Sequence, residues 1–182
     1  MKKRDFSLGI VTGLIISALI AIFYSNLELN KNQQPQTSAD VNEEELREAF
    51  VEEINRLEEQ LEDDPDNAHL LTTLGNYYFD LGDPDKAIEK YERALAIEPN
   101  DVAVLTDCGV MYRNIGEHKK ALEYFDKALA NNPDFQQAMI NKIIVYRYDL
   151  NDIESAKEVL DELESSNPDN PHIAVFRAEL GL

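Results

Sequence analysis

The chain has 182 residues, of which 43% are hydrophobic and 29% are charged, an ordinary globular composition that excludes collagen-like and low-complexity proteins. Its 17 basic residues stand against 36 acidic residues, giving a formal net charge of -19. Such an acidic surface repels phosphate backbones, which argues against nucleic-acid binding. The single cysteine, Cys108, excludes an internal disulfide and a cysteine-based zinc site.

The N-terminus is predicted to anchor the chain in a membrane. Residues 1–5 are basic through Lys2, Lys3 and Arg4, and the run over 6–24 that follows carries no charge. A helix of that length spans about 28 Å, close to the hydrocarbon thickness of a bilayer. Because basic residues favour the cytoplasmic side, we expect a cytoplasmic N-terminus and an extracytoplasmic remainder, periplasmic or external. The alternative is a cleaved signal peptide, whose apolar core is usually shorter, so we favour a retained anchor.

A polar segment and a more acidic domain follow the anchor. Residues 25–42 lack apolar periodicity, which predicts a flexible linker with an average reach of about 20–25 Å. Residues 25–182 carry 14 basic and 35 acidic side chains, so this part is not expected to lie flat on an anionic membrane surface. Within the anchor, small residues recur every four positions, a weak signal for homo-oligomerisation through helix packing. They are Gly9, Gly13, Ser17 and Ala21.

The rest of the chain has an internal period of about 34 residues. Four prolines in similar Asp/Asn-rich contexts mark it at nearly equal intervals: Pro65, Pro99, Pro133 and Pro168. Two helical patterns precede each of the second and third prolines, and a glycine separates the two patterns. The first repeat carries Leu71, Leu74, Gly75 and Tyr78, then Ala87 and Tyr91. The second carries Leu105, Cys108, Gly109 and Tyr112, then Ala121 and Phe125.

These motifs closely resemble the tetratricopeptide repeat, a helix–turn–helix unit of about 34 residues. The resemblance implies an all-α protein: a single N-terminal transmembrane helix, a linker, and an α-solenoid of three helix pairs with flanking capping helices. The repeats are expected at 68–101, 102–135 and 136–170. Helices over 43–64 and 171–182 are expected to cover the two ends, since stacked repeats expose an apolar face until a neighbour covers it. Ile173, Val175, Phe176 and Leu180 are expected to form the apolar side of the last helix.

The third repeat departs from the pattern. One extra residue falls within 149–152, and Ile143 replaces the glycine that allows close helix approach in the first two repeats. We therefore expect a slightly splayed helix pair there, with Lys142 extending toward solvent along its aliphatic stem.

The candidate chemistry favours a protein without catalytic, metal or cofactor sites. The three histidines, His69, His118 and His172, lie far apart along the chain and share no metal-ligand spacing. Cys108 falls on an inward position, which is typical of a small core side chain. The Asp-rich turns lack the ligand order of a calcium loop, so helix capping explains them better. There is no glycine-rich phosphate loop, and an enzyme is not expected.

A binding groove is predicted along the first helices of the repeats, which line the concave face of such solenoids. Positions outside the core pattern include Phe79, Asp80 and Asp107. The residues that we predict to contact a partner are Thr72, Asn76, Thr106, Val110, Arg113, Ile140, Asn141, Ile144, Arg147 and Tyr148. Arg113 and Arg147 occupy equivalent positions in successive repeats and are expected to stack side by side and grip a partner carboxylate. Alternatively, each arginine pairs with a nearby acid such as Asp107 or Asp149.

The resemblance also implies a test for one known ligand class. Some tetratricopeptide repeats bind chaperone C-termini through a clamp of Lys, Asn, Asn, Lys and Arg. The matching positions here are Thr72, Asn76, Asp107, Gln137 and Asn141. Only Asn76 fits, and Asp107 would repel a carboxylate, so a chaperone co-factor role is disfavoured.

The sequence therefore predicts a membrane-tethered adaptor that holds a peptide or helical segment of a partner protein on the extracytoplasmic side. The arrangement is similar to bacterial single-pass proteins that serve the assembly or maturation of envelope proteins, cytochrome c maturation factors among them; this is an analogy of architecture. Two alternatives are a self-associating membrane scaffold using the anchor and the solenoid ends, and an enzyme with an unrecognised site.

Overall fold

A computed structural model describes residues 43–182. This part of the chain contains eight α-helices, one π-helical segment and no β-strand. The α-helices are α1 (Glu43–Asp63), α2 (Ala68–Asp80), α3 (Pro84–Ile97), α4 (Val102–Asn114), α5 (His118–Asn131), α6 (Gln136–Ile144), α7 (Ile153–Ser166) and α8 (His172–Leu180). The π-helical segment (Val145–Asp149) continues α6. The predicted all-α solenoid of helix pairs is confirmed for these residues.

The turn inside each of the first two pairs is set by a glycine, and in the first pair a capping aspartate follows it. Gly82 has φ +70° and Gly116 has φ +80°, backbone conformations that cost side-chain-bearing residues steric strain. The backbone N–H of Asp83 then donates to the carbonyl of Tyr78 at 2.9 Å. The Asp83 carboxylate caps α3 by accepting from the N–H of Lys86. The chain consequently reverses, and the two helices of a pair lie side by side.

Two glycines let the paired helices approach closely. A Cβ atom at Gly75 would lie 2.4 Å from Cε1 of Tyr91, and one at Gly109 would lie 2.5 Å from Cε1 of Phe125. Both rings are almost completely buried. An aromatic side chain of the second helix therefore occupies the space where the first helix has no side chain.

The hydrophobic core forms two adjoining clusters that run through the stack. The first joins α1 to the first two helix pairs, and α1 contributes Ile54, Leu57 and Leu61. The second joins α6, α7 and α8. Its buried residues are Met139, Ile140, Ile143, Ala156, Val159, Leu160, Leu163, Ile173, Phe176 and Leu180. Val175 departs from the expectation for the last helix: it is 53% exposed, because helical geometry places it on the side of α8 opposite to the buried residues.

The third repeat accommodates its extra residue in the π-helical segment. The N–H of Leu150 donates to the carbonyl of Val145, five residues earlier, at 3.0 Å. The N–H of Asp152 then reaches the carbonyl of Tyr146 at 2.7 Å, a contact equivalent to that between Asp83 and Tyr78 but one residue longer. Asn151 supplies the left-handed conformation, with φ +52°, that glycine supplies in the other two turns.

Lys142 does not extend into solvent as expected. Its ammonium lies 2.6 Å from the carboxylate of Asp126 on α5, and its side chain is only 14% exposed. The ion pair compensates the charge of Lys142 at a position where the first two repeats carry the buried apolar residues Leu74 and Cys108.

None of the helices in residues 43–182 combines the length and the apolar character needed to cross a bilayer. The predicted basic N-terminus, anchor and linker (residues 1–42) lie outside the described residues.

Candidate functional site

The candidate surface is the face of α2, α4, α6 and the π-helical segment that other helices leave uncovered. In a stacked solenoid the first helix of each pair lines the inner surface. On α2, Asn76, Phe79 and Asp80 are exposed. Val110 on α4 is half-buried, and Tyr148 beyond α6 is 52% exposed. The surface therefore combines apolar, aromatic and polar side chains along three successive repeats.

Three of the predicted contact residues are buried, so those predictions are wrong about accessibility. Thr106 is 1% exposed, and Ile140 and Asn141 are each 8% exposed. The hydroxyl of Thr106 donates to the carbonyl of Val102 at 2.8 Å within its own helix. The reason is geometric: an internal first helix contacts both its own partner helix and the neighbouring repeat. Its exposed stripe is thus narrower than the apolar pattern alone indicates.

The remaining non-arginine predictions lie partly or fully at the surface. Asn76 is exposed, while Thr72 and Ile144 are half-buried. Thr72 borders a narrow gap beside Ala94 and Val104, at the junction with the next repeat. Asn76 and Ile144 therefore remain the stronger contact candidates of these three.

The two groove arginines have different environments. The Arg113 guanidinium forms a two-point ion pair with Asp149, through Nε and through Nη2, the latter at 3.2 Å. The guanidinium of Arg147 instead lies over the ring of Tyr148, 5.6 Å from its centroid. Its Nε is buried and has no hydrogen-bond partner among residues 43–182. The Tyr148 hydroxyl donates to Glu179 on α8. Arg113 therefore follows the alternative prediction, in which a groove arginine pairs with a nearby acid. Arg147 forms no ion pair among the described residues.

A pocket of about 310 Å³ opens between α2 and α4. Its walls are Asn76, Phe79, Asp80, Tyr91 and Asp107. The buried Tyr91 hydroxyl reaches the pocket from α3 and donates to Oδ1 of Asn76 at 2.8 Å. The pocket consequently has an aromatic wall, an oriented amide and two carboxylates.

The Asp107 carboxyl is electrostatically unusual. Burial raises its pKa from 3.8 to about 6, and the neighbouring Asp101 carboxylate adds to the rise. Burial likewise raises the pKa of the Tyr91 phenol, with Asp107 and Asp80 adding to it. At neutral pH the pocket therefore holds a carboxylate that has no counter-charge among the described residues.

The predicted contact set omitted Phe79, Asp80 and Asp107, although all three lie outside the core pattern. The pocket wall supplied by Tyr91 was missed because that residue matches the buried aromatic position of the motif. The repeat period did single out Asp107. Asp107 and Asn141 occupy equivalent positions in successive repeats, and only Asp107 is charged.

The described residues contain no cluster of His, Cys, Asp or Glu that could hold a metal ion. The Cys108 thiol is completely buried, and burial raises its pKa to about 12. A thiol in such surroundings is inert at neutral pH, because the thiolate is the reactive form.

Comparison with known protein families identifies the family of these helix pairs. Models of the tetratricopeptide repeat match residues 54–102, 72–135 and 116–180. The chain belongs to the tetratricopeptide repeat family. Members of this family generally act as non-enzymatic scaffolds for protein interactions. A comparison with curated proteins found no match.

Solved structures of tetratricopeptide repeat proteins share the fold. MamA is 22% identical, with a TM-score of 0.66 over 80% of this chain and 88% of its own. YrrB, described as having an unusual peptide-binding site, is 25% identical, with a TM-score of 0.65 over 73% of this chain and 68% of its own. The first repeat domain of Spaghetti (RPAP3), bound to the HSP90 peptide SRMEEVD, is 23% identical, with a TM-score of 0.57 over 63% of this chain and 92% of its own.

Proposed function

We propose that this tetratricopeptide repeat protein is an adaptor that holds a segment of a partner protein against the inner face of its first helices. The observation that carries the proposal is the row of accessible side chains from Asn76 and Phe79, past Val110, to Ile144 and Tyr148. Each of these side chains is at least partly exposed. YrrB, a relative in fold, is described as having a peptide-binding site, which supports a peptide as the ligand.

The sequence adds a location to this proposal. The apolar run at 6–24 and the polar linker at 25–42 support a tether that holds the repeats near the extracytoplasmic surface of a membrane. On this view the adaptor serves the assembly or maturation of other envelope proteins. Weak self-association through the small residues of the anchor belongs to the same proposal.

Site-specific photocrosslinking from the full-length protein in native membranes tests the binding face. A crosslinker at Val110, on α4, is expected to capture a distinct partner protein. The matched control is Glu123, an exposed position on the second helix α5. Capture of the same protein from both positions, or from Glu123 alone, would contradict the proposed face.

Protease accessibility tests the tether and its orientation. Protease added to intact spheroplasts is expected to degrade residues 43–182, while permeabilisation should make no further difference. Protection of the repeats until permeabilisation would reverse the orientation. Recovery of the full-length chain in the soluble fraction would contradict the proposed tether.

A further inference from the structure

We propose that the pocket between α2 and α4 receives a lysine or arginine side chain of the bound partner segment. This inference rests on the proposed adaptor function and specifies the chemistry of its partner. Asp80 and Asp107 both line the pocket, and neither forms an ion pair or a side-chain hydrogen bond within residues 43–182. A cationic side chain entering from a partner would compensate both carboxylates.

The basic residues of the surrounding helices are engaged elsewhere. Lys86 pairs with its own cap, Asp83, and Lys90 is held by Glu58 and Glu89. Farther along, Arg113 is occupied by Asp149. Because the whole chain has a net charge of -19, the field around the pocket is also negative and attracts a cationic segment.

The shape and lining of the pocket match one long side chain. Its volume of about 310 Å³ is at the lower end of the range for ligand sites, roughly 300–1,000 Å³. Phe79, 38% exposed, offers an aromatic face to an aliphatic stem or a cation. The Asn76 amide, held in place by the Tyr91 hydroxyl, adds a neutral hydrogen-bonding group to the wall.

The repeat unit does not require a charged residue at the position of Asp107. The equivalent residue in the next repeat is Asn141, which has nearly the same shape and no charge. A shielded, uncompensated carboxylate destabilises the folded state, so Asn at 107 would be the more stable choice. Asp107 therefore lowers the stability of the fold although asparagine would fit the same position. Residues of this kind are typical of binding sites.

Peptide binding to the full-length protein in detergent micelles tests the pocket. The probes are fluorescent alanine–leucine peptides of equal length that carry Lys, Arg, Gln or Glu at the centre. We expect the Lys and Arg peptides to bind at least about tenfold more tightly than the Gln peptide, and the Glu peptide most weakly. Asp107→Asn is expected to remove the preference, and Asp80→Asn to reduce it. Glu123→Gln, on the exposed face of α5, is the matched control and should leave the preference intact.

Thermal unfolding separates lost binding from lost structure. The unfolding temperature of Asp107→Asn is expected to equal or exceed that of the wild type. An undiminished Lys preference in this variant, or a preference of the wild type for Glu, would overturn the pocket assignment. If the crosslinker at Val110 captures a partner but the wild type shows no preference among the peptides, the pocket assignment is overturned and the adaptor function stands. Failure of both experiments would remove the adaptor function as well.

Discussion

Arg113 on α4 and Asp149 in the π-helical segment form a two-point ion pair that ties the second repeat to the third. The two side chains are 30% and 17% exposed, so the pair is partly shielded from solvent. Nδ1 of His118, at the start of α5, lies 3.8 Å from the same carboxylate. The contact depends on the π-helical segment, because the extra residue of the third repeat displaces Asp149 from the regular helical path.

We expect Arg113 and Asp149 to contribute jointly to the free energy of unfolding. Removing either partner by Arg113→Gln or Asp149→Asn should lower the free energy of unfolding by about 1–2 kcal/mol, because the remaining charge loses its partner in a partly desolvated site. The double variant should lose less than the sum of the single losses. Urea denaturation of the four proteins measures the coupling. The exposed pair of Arg56 with Glu53 serves as the control and should show little or no coupling, because solvent screens it.

Gly109→Ala will destabilise the protein through contact with a buried ring. The added Cβ would lie 2.5 Å from Cε1 of Phe125, which is completely buried, so α4 and α5 must separate. We expect a loss of about 1–3 kcal/mol in the free energy of unfolding. Helix propensity alone predicts the opposite, a gain of about 1 kcal/mol. Combining Gly109→Ala with Phe125→Leu should lose less than the sum of the two, since the smaller side chain makes room.

The repeat architecture was predictable because its determinants are local and periodic. Gly75 and Gly109 mark the close helix approaches, and Gly82 and Gly116 mark the turns with positive φ. The first role requires a glycine at a set distance from an aromatic residue, and the second requires a glycine that recurs once per repeat. A single sequence with three copies of the unit therefore specifies both the helices and their pairing.

The contact surface was less predictable because it depends on how neighbouring repeats pack. Thr106 and Asn141 fall outside the apolar core pattern, yet both are buried between repeats. The role of Arg113 depended on Asp149, whose position follows from the π-helical segment rather than from any regular spacing. The period marked Asp107 as a charged residue where the next repeat has the neutral Asn141. That Asp107 lines a pocket without a counter-charge among residues 43–182 follows only from the packing.

Asp107 should make stability depend on pH in a definite direction. Burial, and after it the carboxylate of Asp101 in the cap of α4, disfavours the ionised form of this carboxyl. Asp80 and Tyr91 are the other titratable groups that line the pocket. The pKa of Asp107 in the folded protein, about 6, exceeds its ordinary value of 3.8. Its contribution therefore favours the folded state at low pH and declines as the pH rises through the window from about 4 to about 6.

Asp107→Asn isolates that contribution. At pH 7.5 the variant should be more stable than the wild type by on the order of 1 kcal/mol, after allowance for the partial exposure of the site. The difference should shrink as the pH falls through 6 and disappear well below pH 4, because the wild-type carboxyl is then protonated in both states. Urea denaturation at several pH values measures the difference directly. A constant difference across this range would contradict the assignment of the raised pKa to Asp107.

Removing residues 171–182 should expose the second hydrophobic cluster. Helix α8 buries Ile173, Phe176 and Leu180 against α6 and α7, so its loss leaves an apolar face open to solvent. We expect a lower unfolding temperature, a broader transition and increased binding of a hydrophobic dye. Deletion of residues 181–182 alone is the control and should change little, since Leu182 is 53% exposed.

Asn151 lies in the turn of the third repeat with φ +52°, where the other two turns have glycine. A Cβ atom in this conformation is strained, and asparagine tolerates it better than most residues. Asn151→Ala should therefore lower the free energy of unfolding by about 1 kcal/mol, whereas Asn151→Gly should leave it nearly unchanged. The matched variant in the second repeat is Gly116→Ala. It should lower the free energy of unfolding by a similar amount, because Gly116 has φ +80° and a Cβ atom there would meet no neighbour. Equal stability of Asn151→Ala and Asn151→Gly in urea denaturation would mean that backbone strain does not limit this turn.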